Sequence, residues 1–589
     1  MMAASLFAVF LAARLAILWG RPLPLSPWTP LAFLWQDVAI VLLFLLFERV
    51  ARRDWPVRIV YGALVLLAAA NVAVGRVLSS ALTAPLLRAA RGALSDSLFY
   101  HATPSILMLT GVILLVGAGT PLVSRRLLRA QQSVATSRLA AAHRASLAAA
   151  CCLVLIGPAA ARRVDTAGLE RNPVFSLVRT SVPRVRAQAR EADWRASPVA
   201  HATAGDEDLA HLRGTAAGSN VLLVVLESTA ARYLKTYGAA EDPTPHLTAL
   251  AARSIVFDNA YAVYPESIKG LVALLSSRYP GFDVAAERHA SIMMPSLATR
   301  LDAEGYETAL FHSGRFFYLG MEEIVSASGF GGLEDAGAIG GNHDSSFGVD
   351  ESSAVQRVLH WIDRVPRGQR FVAAYLPIAG HHPYSYSMPG PFPEEREIDR
   401  YRNALHEGDV ALGKLLDGLR ARGLEDSTVV VVIGDHGEAF GQHAGNYGHN
   451  LALYDENVRV PFVVFVPRVK AASRVGRTAS LLDVAPTVLD LLGLTSPREF
   501  QGESLLAPRP RMALFFTDYS LGLLGLRDGC MKFIHELESG RSKLFDVCSD
   551  PGERADIAGQ QPDRVARYRD HLRQWSAAEV ARITRSSGI

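Results

Sequence analysis

Cysteine is scarce, with four in 589 residues; that is too few for a disulfide scaffold or a cysteine-rich zinc protein. A surplus of one charge is missing too, because 60 Lys and Arg stand against 57 Asp and Glu for a net charge of +3. A nucleic-acid binder of this size carries a concentrated basic excess, so no nucleic-acid partner is expected. Charged residues make up only 20% of the chain, half of it is hydrophobic, and mean hydropathy is +0.17. That balance excludes a disordered chain and departs from an ordinary soluble enzyme. Internal repeats and low-complexity tracts are lacking as well.

The apolar surplus falls in the first 160 residues as separate blocks: Ala3–Trp19, Leu31–Phe47, Ile59–Val77, Ile106–Val123 and Ala145–Ala160. Each is close to the ~20 residues that cross a hydrocarbon core, so residues 1–161 are expected to form a five-helix transmembrane bundle. The first block is read as a span rather than a cleaved signal peptide, since no small-residue cleavage site follows it and further spans do. Arg49, Arg52, Arg53 and Arg58 lie between spans two and three, and Arg125, Arg126, Arg129, Arg138 and Arg144 between four and five. The alternate connections carry only Arg21 and, in the longer one, Arg88 and Arg91. Positive residues stay inside, which puts everything after Ala160 on the outer side of the membrane. Arg14, within the first span, reads as a side chain snorkelling to the interface.

Residues 162–215 read as a juxtamembrane connector, either solvated or lying along the bilayer with Phe175, Leu177 and Val178 dipping in. From residue 216 to 589 the texture is that of an α/β domain. Apolar runs Val221–Leu226, Phe371–Leu376, Val429–Ile433 and Val460–Val466 have the length of buried parallel strands. Helix-length segments Thr244–Arg253, Ser296–Glu304, Val355–Arg364, Asp399–Arg422 and Ala479–Leu494 lie among them. The alternation predicts a mostly parallel sheet covered on both faces, with chemistry at the carboxyl ends of the strands. Three of those ends run into Glu227, into Gly380-His381-His382-Pro383, and into Gly434-Asp435-His436-Gly437-Glu438. Carboxylate and imidazole donors together suit zinc or manganese, and Glu227 completes a set with Asp435 and His436.

The order of further motifs is more specific. Asn220–Glu227, Pro243-Thr244-Pro245-His246-Leu247, Phe257–Ala262, Ser276-Ser277-Arg278-Tyr279-Pro280, His381–Tyr384, Gly434–Glu438, Asn457–Phe462, Asp483–Asp490 and Leu544–Val547 resemble the sulfatase-bearing branch of the alkaline phosphatase superfamily. With spans in front, the chain resembles the lipoteichoic acid synthase and phosphoethanolamine transferase group of membrane-anchored, sulfatase-like enzymes. The resemblance implies a nucleophile at Ser267, itself a metal ligand with Glu227, Asp435 and His436. It also implies proton transfer by His381 or His449 and pocket roles for His312, Lys269 and His443. Ser267 could equally cap the helix Ile268–Leu275, and a nucleophile at a helix N-terminus holds its anion in the field of the backbone amides.

Departures from the pattern choose between branches. Formylglycine maturation in sulfatases needs Pro or Ala two residues, and Arg four residues, after the converted position; here those places hold Lys269 and Leu271. His449 stands where sulfatases tend to carry Lys and the phosphoryl transferases His. Phe311–Leu319 lacks the Trp-Asn-Arg that polyglycerolphosphate synthases use, which leaves the head group open. The implied reaction takes a phosphoryl head group, phosphoethanolamine or phosphoglycerol, from a membrane phospholipid through phosphoserine to an envelope glycan or lipid. A sulfatase or phosphodiesterase acting on the same site is the alternative, and a non-catalytic sensor would have lost part of the ligand set. Finally, Cys530–Ile534 and Leu544–Cys548 read as a hairpin with Ile534 opposite Leu544 and Cys530 opposite Cys548, close enough for a disulfide. Cys151 and Cys152 read as small packing residues of the fifth span.

Overall fold

The computed structural model describes residues 2–586 apart from 22, 24, 90–101, 132–135, 189–206, 319, 343–347 and 470–471. Arg91 and residues 189–206 of the connector thus lie outside the described residues, as do the side chains of residues 125–143. The apolar blocks form α1 (Met2–Leu18), α2 (Thr29–Val50), α3 (Asp54–Leu78), α4 (Pro104–Gln131) and α5 (Thr136–Arg163). Four of them, α2 to α5, contain stretches long and apolar enough to cross a membrane; α1 is apolar but, at 17 residues, shorter. Leu6, Val9 and Phe10 of α1 are nonetheless buried against Val65, Ala68 and Val72 of α3 and Ile113 of α4. Small residues allow close approach: a Cβ on Gly157 would sit 2.1 Å from the Trp35 side chain, and one on Gly117 2.4 Å from Val65. Cys151 and Cys152 are exposed on α5, not packed inside the bundle.

Arg14 does not snorkel. Its guanidinium is buried and forks onto the Asp37 carboxylate at 2.9–3.1 Å. Its remaining donors reach the carbonyls of Leu169 and Arg171 in the connector. Asn172 adds an amide bond to Asp37 (2.8 Å) and caps α6 (Pro173–Thr180). The connector is therefore anchored to the bundle by buried polar groups, because a charge inside an apolar bundle persists only when paired. Phe175 meets Trp35 edge-on at 5.5 Å, whereas Val178 is exposed.

The catalytic-size domain is built on a sheet with strands β1 (Asn220–Leu226), β2 (Ile255–Tyr261), β3 (Glu307–His312), β4 (Gly332–Glu334), β5 (Phe371–Leu376), β6 (Thr428–Gly434), β7 (Phe462–Phe465) and β8 (Ser473–Ser480). Their order is β8–β2–β7–β6–β1–β5–β3–β4, with the two-residue strand Arg459–Val460 beside β2. Side chains of β1 alternate between two cores: Val221, Leu223 and Val225 enter one, Leu222 and Val224 the other. Both faces are thus covered, as the unbroken apolar runs predict. The expected strand Val460–Val466 is corrected: Pro461, which cannot donate to a ladder, splits it, and β7 runs antiparallel to both β2 and β6. The expected helix Ala479–Leu494 is also shortened to Val484–Leu491, since Ala479 and Ser480 end β8.

An antiparallel sheet follows, ordered β9 (Met512–Thr517), β10 (Leu523–Asp528), β11 (Met531–Glu536) and β12 (Ser542–Asp546), against which α8 (Pro562–Ser586) packs. Cys530 and Cys548 form a disulfide with Cα atoms 5.2 Å apart. The expected register is one residue off: Phe533, not Ile534, faces Leu544, and the Val547 amide bonds to the Cys530 carbonyl at 2.9 Å. The bridge forms because Cys548 turns back just past the strand end. Closing a loop of 18 residues restricts the unfolded chain by about 3 kcal/mol. Thermal unfolding with and without reductant should show that loss, and alkylation of the unfolded chain should label Cys530 and Cys548 only after reduction.

His289 gives the fold an acid-sensitive point. Fully buried, it accepts the Gly281 amide on Nε2 (2.9 Å) and donates from Nδ1 to the carbonyls of Ala285 and Ala286 (3.0 Å). Burial, reinforced by the Lys269 charge, pushes its pKa down to about 3. A depressed histidine contributes stability that is complete above the unfolded value of ~6.5 and drains as pH falls toward the folded one, by about 1.4 kcal/mol per unit. Between pH 6.5 and 5 the detergent-solubilised chain should lose roughly 2 kcal/mol more than its His289→Gln variant, read from urea midpoints.

Candidate active site

Three neighbouring parallel strands, β6, β1 and β5, end on the same side of the sheet and deliver their following residues to one point. The Asp435 amide bonds to the Leu226 carbonyl at 3.1 Å, which sets the residues after β6 beside those after β1. Gly380, after β5, has φ +106° and presses against the Glu227 carbonyl, where a Cβ would come within 2.6 Å. A Cβ at Gly437 would lie 2.2 Å from the Glu456 carbonyl. These two glycines permit backbone approaches that a larger residue would block.

Glu227, Asp435 and His436 are buried, and one donor atom from each lies within 4.8 Å of the others. His436 Nε2 is 3.2 Å from Glu227 Oε1 and 3.6 Å from Asp435 Oδ2. Its Nδ1 donates to the Gly437 carbonyl (3.0 Å), which turns Nε2 toward the carboxylates. Ser228 fixes both acids, its hydroxyl donating to Glu227 Oε1 (2.8 Å) and its amide to Asp435 Oδ1 (3.1 Å). Ser267 completes the group: its Oγ donates to Glu227 Oε2 at 2.8 Å and lies 3.3 Å from His436 Nε2.

Ser267 is the first residue of α7 (Ser267–Ser276), and it does not cap the helix. Glu266 does, accepting the Ile268 amide at 3.2 Å. The serine hydroxyl is left for chemistry while the helix amides still point toward any group attached to it. Behind α7 stands Asp518, which accepts from Lys269 Nζ (2.7 Å) and Tyr264 Oη (2.8 Å).

The electrostatics describe a site short of positive charge. Burial and the adjacent Glu227 push Asp435 up to about 7. Against burial, Asp435 and Glu227 push His436 up to about 10, and His436 in turn holds Glu227 well below the usual carboxylate range. Two buried carboxylates, one imidazole and one hydroxyl are a donor set that a divalent cation fits. Burial lowers both His381 and His312 below the ordinary histidine value.

Of the remaining expected residues, the site gathers three, His381, His449 and His312. The His449 ring centre is 4.4 Å from that of His436 and 6.4 Å from that of His381. His312, at the end of β3, donates from Nδ1 to the Leu376 carbonyl at 2.9 Å and stacks on Phe316. Lys269 is held instead in its buried ion pair with Asp518, 4.7 Å from the Tyr264 ring centre. His443 is engaged by Glu456 (2.6 Å) and the Glu553 carbonyl (3.2 Å) and stacks on Tyr454. Sequence reasoning gave no role to Glu438, although it lies in the Gly434–Glu438 run. It is buried, accepts from His449 Nδ1 (2.8 Å) and Tyr384 Oη (3.0 Å), and so orients the His449 ring. Its position two residues past His436 was the available signal; its partner, eleven residues further on, was not readable.

A cavity of about 1550 Å³ joins this region to the bundle, lined by His449, Glu438 and Asn450 on one side and by Leu86, Ile106 and Leu107 on the other.

Residues 219–494 match the family model described as Sulfatase. Among curated proteins, arylsulfatase K of Xenopus laevis is 28% identical over 243 residues, 36% of this chain and 45% of that protein. The match spans less than half the length of that relative. A structure of Ps i-CgsB with k-i-k-neocarrahexaose aligns with a TM-score of 0.50 at 18% identity, over 61% of this chain and 92% of the other. The lipoteichoic acid synthase LtaP from Listeria monocytogenes aligns at TM-score 0.49 and 18% identity, over 64% of this chain and 96% of the other. Residues 219–494 of the chain, carried behind its helical bundle, thus match the Sulfatase family model and share the fold of the Ps i-CgsB structure.

Proposed function

We propose that the chain is a metal-dependent transferase that moves a phosphoryl head group, phosphoethanolamine or phosphoglycerol, from a membrane phospholipid to an envelope glycan or lipid. We place it in a bacterial cytoplasmic membrane with the catalytic domain outside. The observation that carries this reading is Ser267, whose hydroxyl meets the Glu227–His436 pair at 2.8 and 3.3 Å, together with His449, whose ring centre is 4.4 Å from that of His436 and which lines a cavity continuous with the apolar bundle. Bundle residues lining the cavity suit acyl chains, and a soluble sulfate ester has no use for them. Orientation is supported by Arg52 and Arg53, which sit between α2 and α3, at the bundle end where Met2 meets Glu48. The domain docks at the other end, where Ser80 and Thr83 bond to Ser520 and the Tyr519 carbonyl.

Glu227, Asp435, His436 and Ser267 Oγ would hold a zinc or manganese ion, which would supply the Lewis acidity for the serine hydroxyl to ionise near neutral pH. Ser267 Oγ attacks phosphorus; the Oγ–P bond forms as the bond from phosphorus to the diacylglycerol oxygen breaks. His449, its Nδ1 fixed by Glu438, gives that oxygen a proton from Nε2, with His381 beside it. In the second half the acceptor hydroxyl returns a proton to the same imidazole and attacks the phosphoserine, freeing Ser267.

A second reading, a sulfatase or phosphodiesterase-type hydrolase, is favoured by the arylsulfatase K match. Intact mass of the full chain after incubation with phospholipid separates the two. A phosphoryl adduct present in the parent and absent in Ser267→Ala supports transfer, and formylglycine at position 267 overturns it.

A further inference from the structure

The side chains of Arg14, Arg171 and Arg184, buried at the junction of bundle and domain, are paired with carboxylates, whereas those of two half-buried arginines are not. Arg14 has Asp37, Arg171 has Glu536 and Glu538, and Arg184 has Asp283 and Glu538. Arg21 and Arg76 have no carboxylate partner among the described residues, yet both are only partly exposed and both line the cavity that reaches His449. They are held in place by neutral acceptors. Arg21 donates to Ser79 Oγ (3.1 Å) and to the carbonyls of Gly75 (2.7 Å) and Arg76 (3.3 Å), and Arg76 donates to the Trp19 carbonyl (2.6 Å).

Two guanidiniums fixed side by side without a counter-ion repel each other and cost energy unless an anion lies between them. The cavity's own acids do not serve. Asp165 is taken by Lys543 and Arg541, Glu438 by His449 and Tyr384, and Glu397 occupies the first turn of its helix. A snorkelling arginine reaches out to bulk water; these two instead line the open-mouthed cavity that is also lined by apolar bundle side chains and by His449. Exposed Trp19, which also lines the cavity, marks the membrane interface, the depth at which lipid phosphates sit.

We propose that Arg21 and Arg76 form an anion subsite that holds a second acidic group, a phosphate or carboxylate, of a lipid-anchored substrate whose reacting end lies at Ser267. The inference rests on the lipid-substrate reading above and names a feature of that lipid. Each arginine offers planar, forked donors beyond those used on the carbonyls, the geometry suited to phosphate or carboxylate oxygens.

The test uses the full chain carrying Ser267→Ala, so that binding is read without turnover. Native mass spectrometry in detergent, with dioleoyl phosphatidic acid against dioleoyl phosphatidylcholine as probes, should show at least about tenfold preferential retention of the acidic lipid. Adding Arg21→Gln and Arg76→Gln should abolish the preference, and Arg21→Lys with Arg76→Lys should keep most of it. Equal retention of both lipids by the Ser267→Ala chain, or a preference unchanged by the Gln pair, overturns the subsite. In the parent with Ser267 present, the Gln pair distinguishes the source of the acidic group. A slowed phosphoserine burst assigns it to the donor, and a normal burst with slowed transfer assigns it to the acceptor. Loss of the burst in the parent itself would instead defeat the transferase reading while leaving the binding result standing.

Discussion

Ser267→Ala should lower kcat by at least ~10⁴-fold with little change in thermal unfolding, the scale of loss when a covalent nucleophile is removed. The two halves of that expectation come from different neighbours. Activity disappears because the hydroxyl 2.8 Å from Glu227 Oε2 and 3.3 Å from His436 Nε2 is lost, and the neighbouring Ser228 hydroxyl is committed to Glu227 Oε1. Stability persists because Glu266 caps α7, so the substitution removes no cap. Ser267→Cys, which keeps a nucleophilic atom, should retain partial adduct formation; a melt shifted by more than a few degrees would show the serine to be structural. Pre-steady-state phosphoryl adduct mass and scanning calorimetry on the same preparations measure both.

The second large effect concerns the cation. Asp435→Ala, His436→Ala and Glu227→Ala should each remove bound metal and activity together, by 10³-fold or more in the latter, to the order expected when a first ligand is lost. Without the ion the site has the protonation pattern described above, with His436 pushed up to about 10 by its two acids. Metal binding must then expel that proton, so apparent metal affinity rises with pH. Competition titration with a chelator at pH 6 and pH 8 should give tighter binding at pH 8, and chelation should lower the unfolding temperature of the parent but not of Asp435→Ala. Full metal occupancy in Asp435→Ala would remove Asp435 from the ligand set.

Much of this site was readable because its residues follow apolar runs. Glu227 and Asp435–His436 come directly after β1 and β6, and His381 follows β5 in the next loop; these central strands are apolar on both faces and therefore unmistakable. The edge strand β8, Ser-Arg-Val-Gly-Arg-Thr-Ala-Ser, pairs with a strand of its own sheet on one flank only and is half polar, and its period was lost. The split at Pro461 and the hairpin register were one-residue matters that composition does not constrain, although turn geometry does. The pocket role that the family resemblance implies for Lys269 is not where the structure places it. On a helix, a residue two places on points elsewhere, and Lys269 is bonded to Asp518. Side-chain partners far apart in sequence, Glu438 with His449 or Arg14 with Asp37, are products of packing and had no local signal.

The Arg14–Asp37 pair also bears on how the chain is made. Neither charge is tolerable alone in hydrocarbon, at roughly 2.5–3.5 kcal/mol each on translocon scales, and the two lie on consecutive helices. Their mutual neutralisation is available only when α1 and α2 enter the bilayer as one hairpin, and the carbonyls of Leu169 and Arg171 can add their bonds only after five helices have left the ribosome. On the reading that α1 as well as α2 spans the bilayer, integration of the first helix is expected to wait on the second, and the connector, synthesised last, to lock the first. Asp37→Asn should accordingly lower the inserted fraction of a nascent chain ending just beyond α2, measured by glycosylation mapping, and Arg14→Leu with Asp37→Leu should restore it.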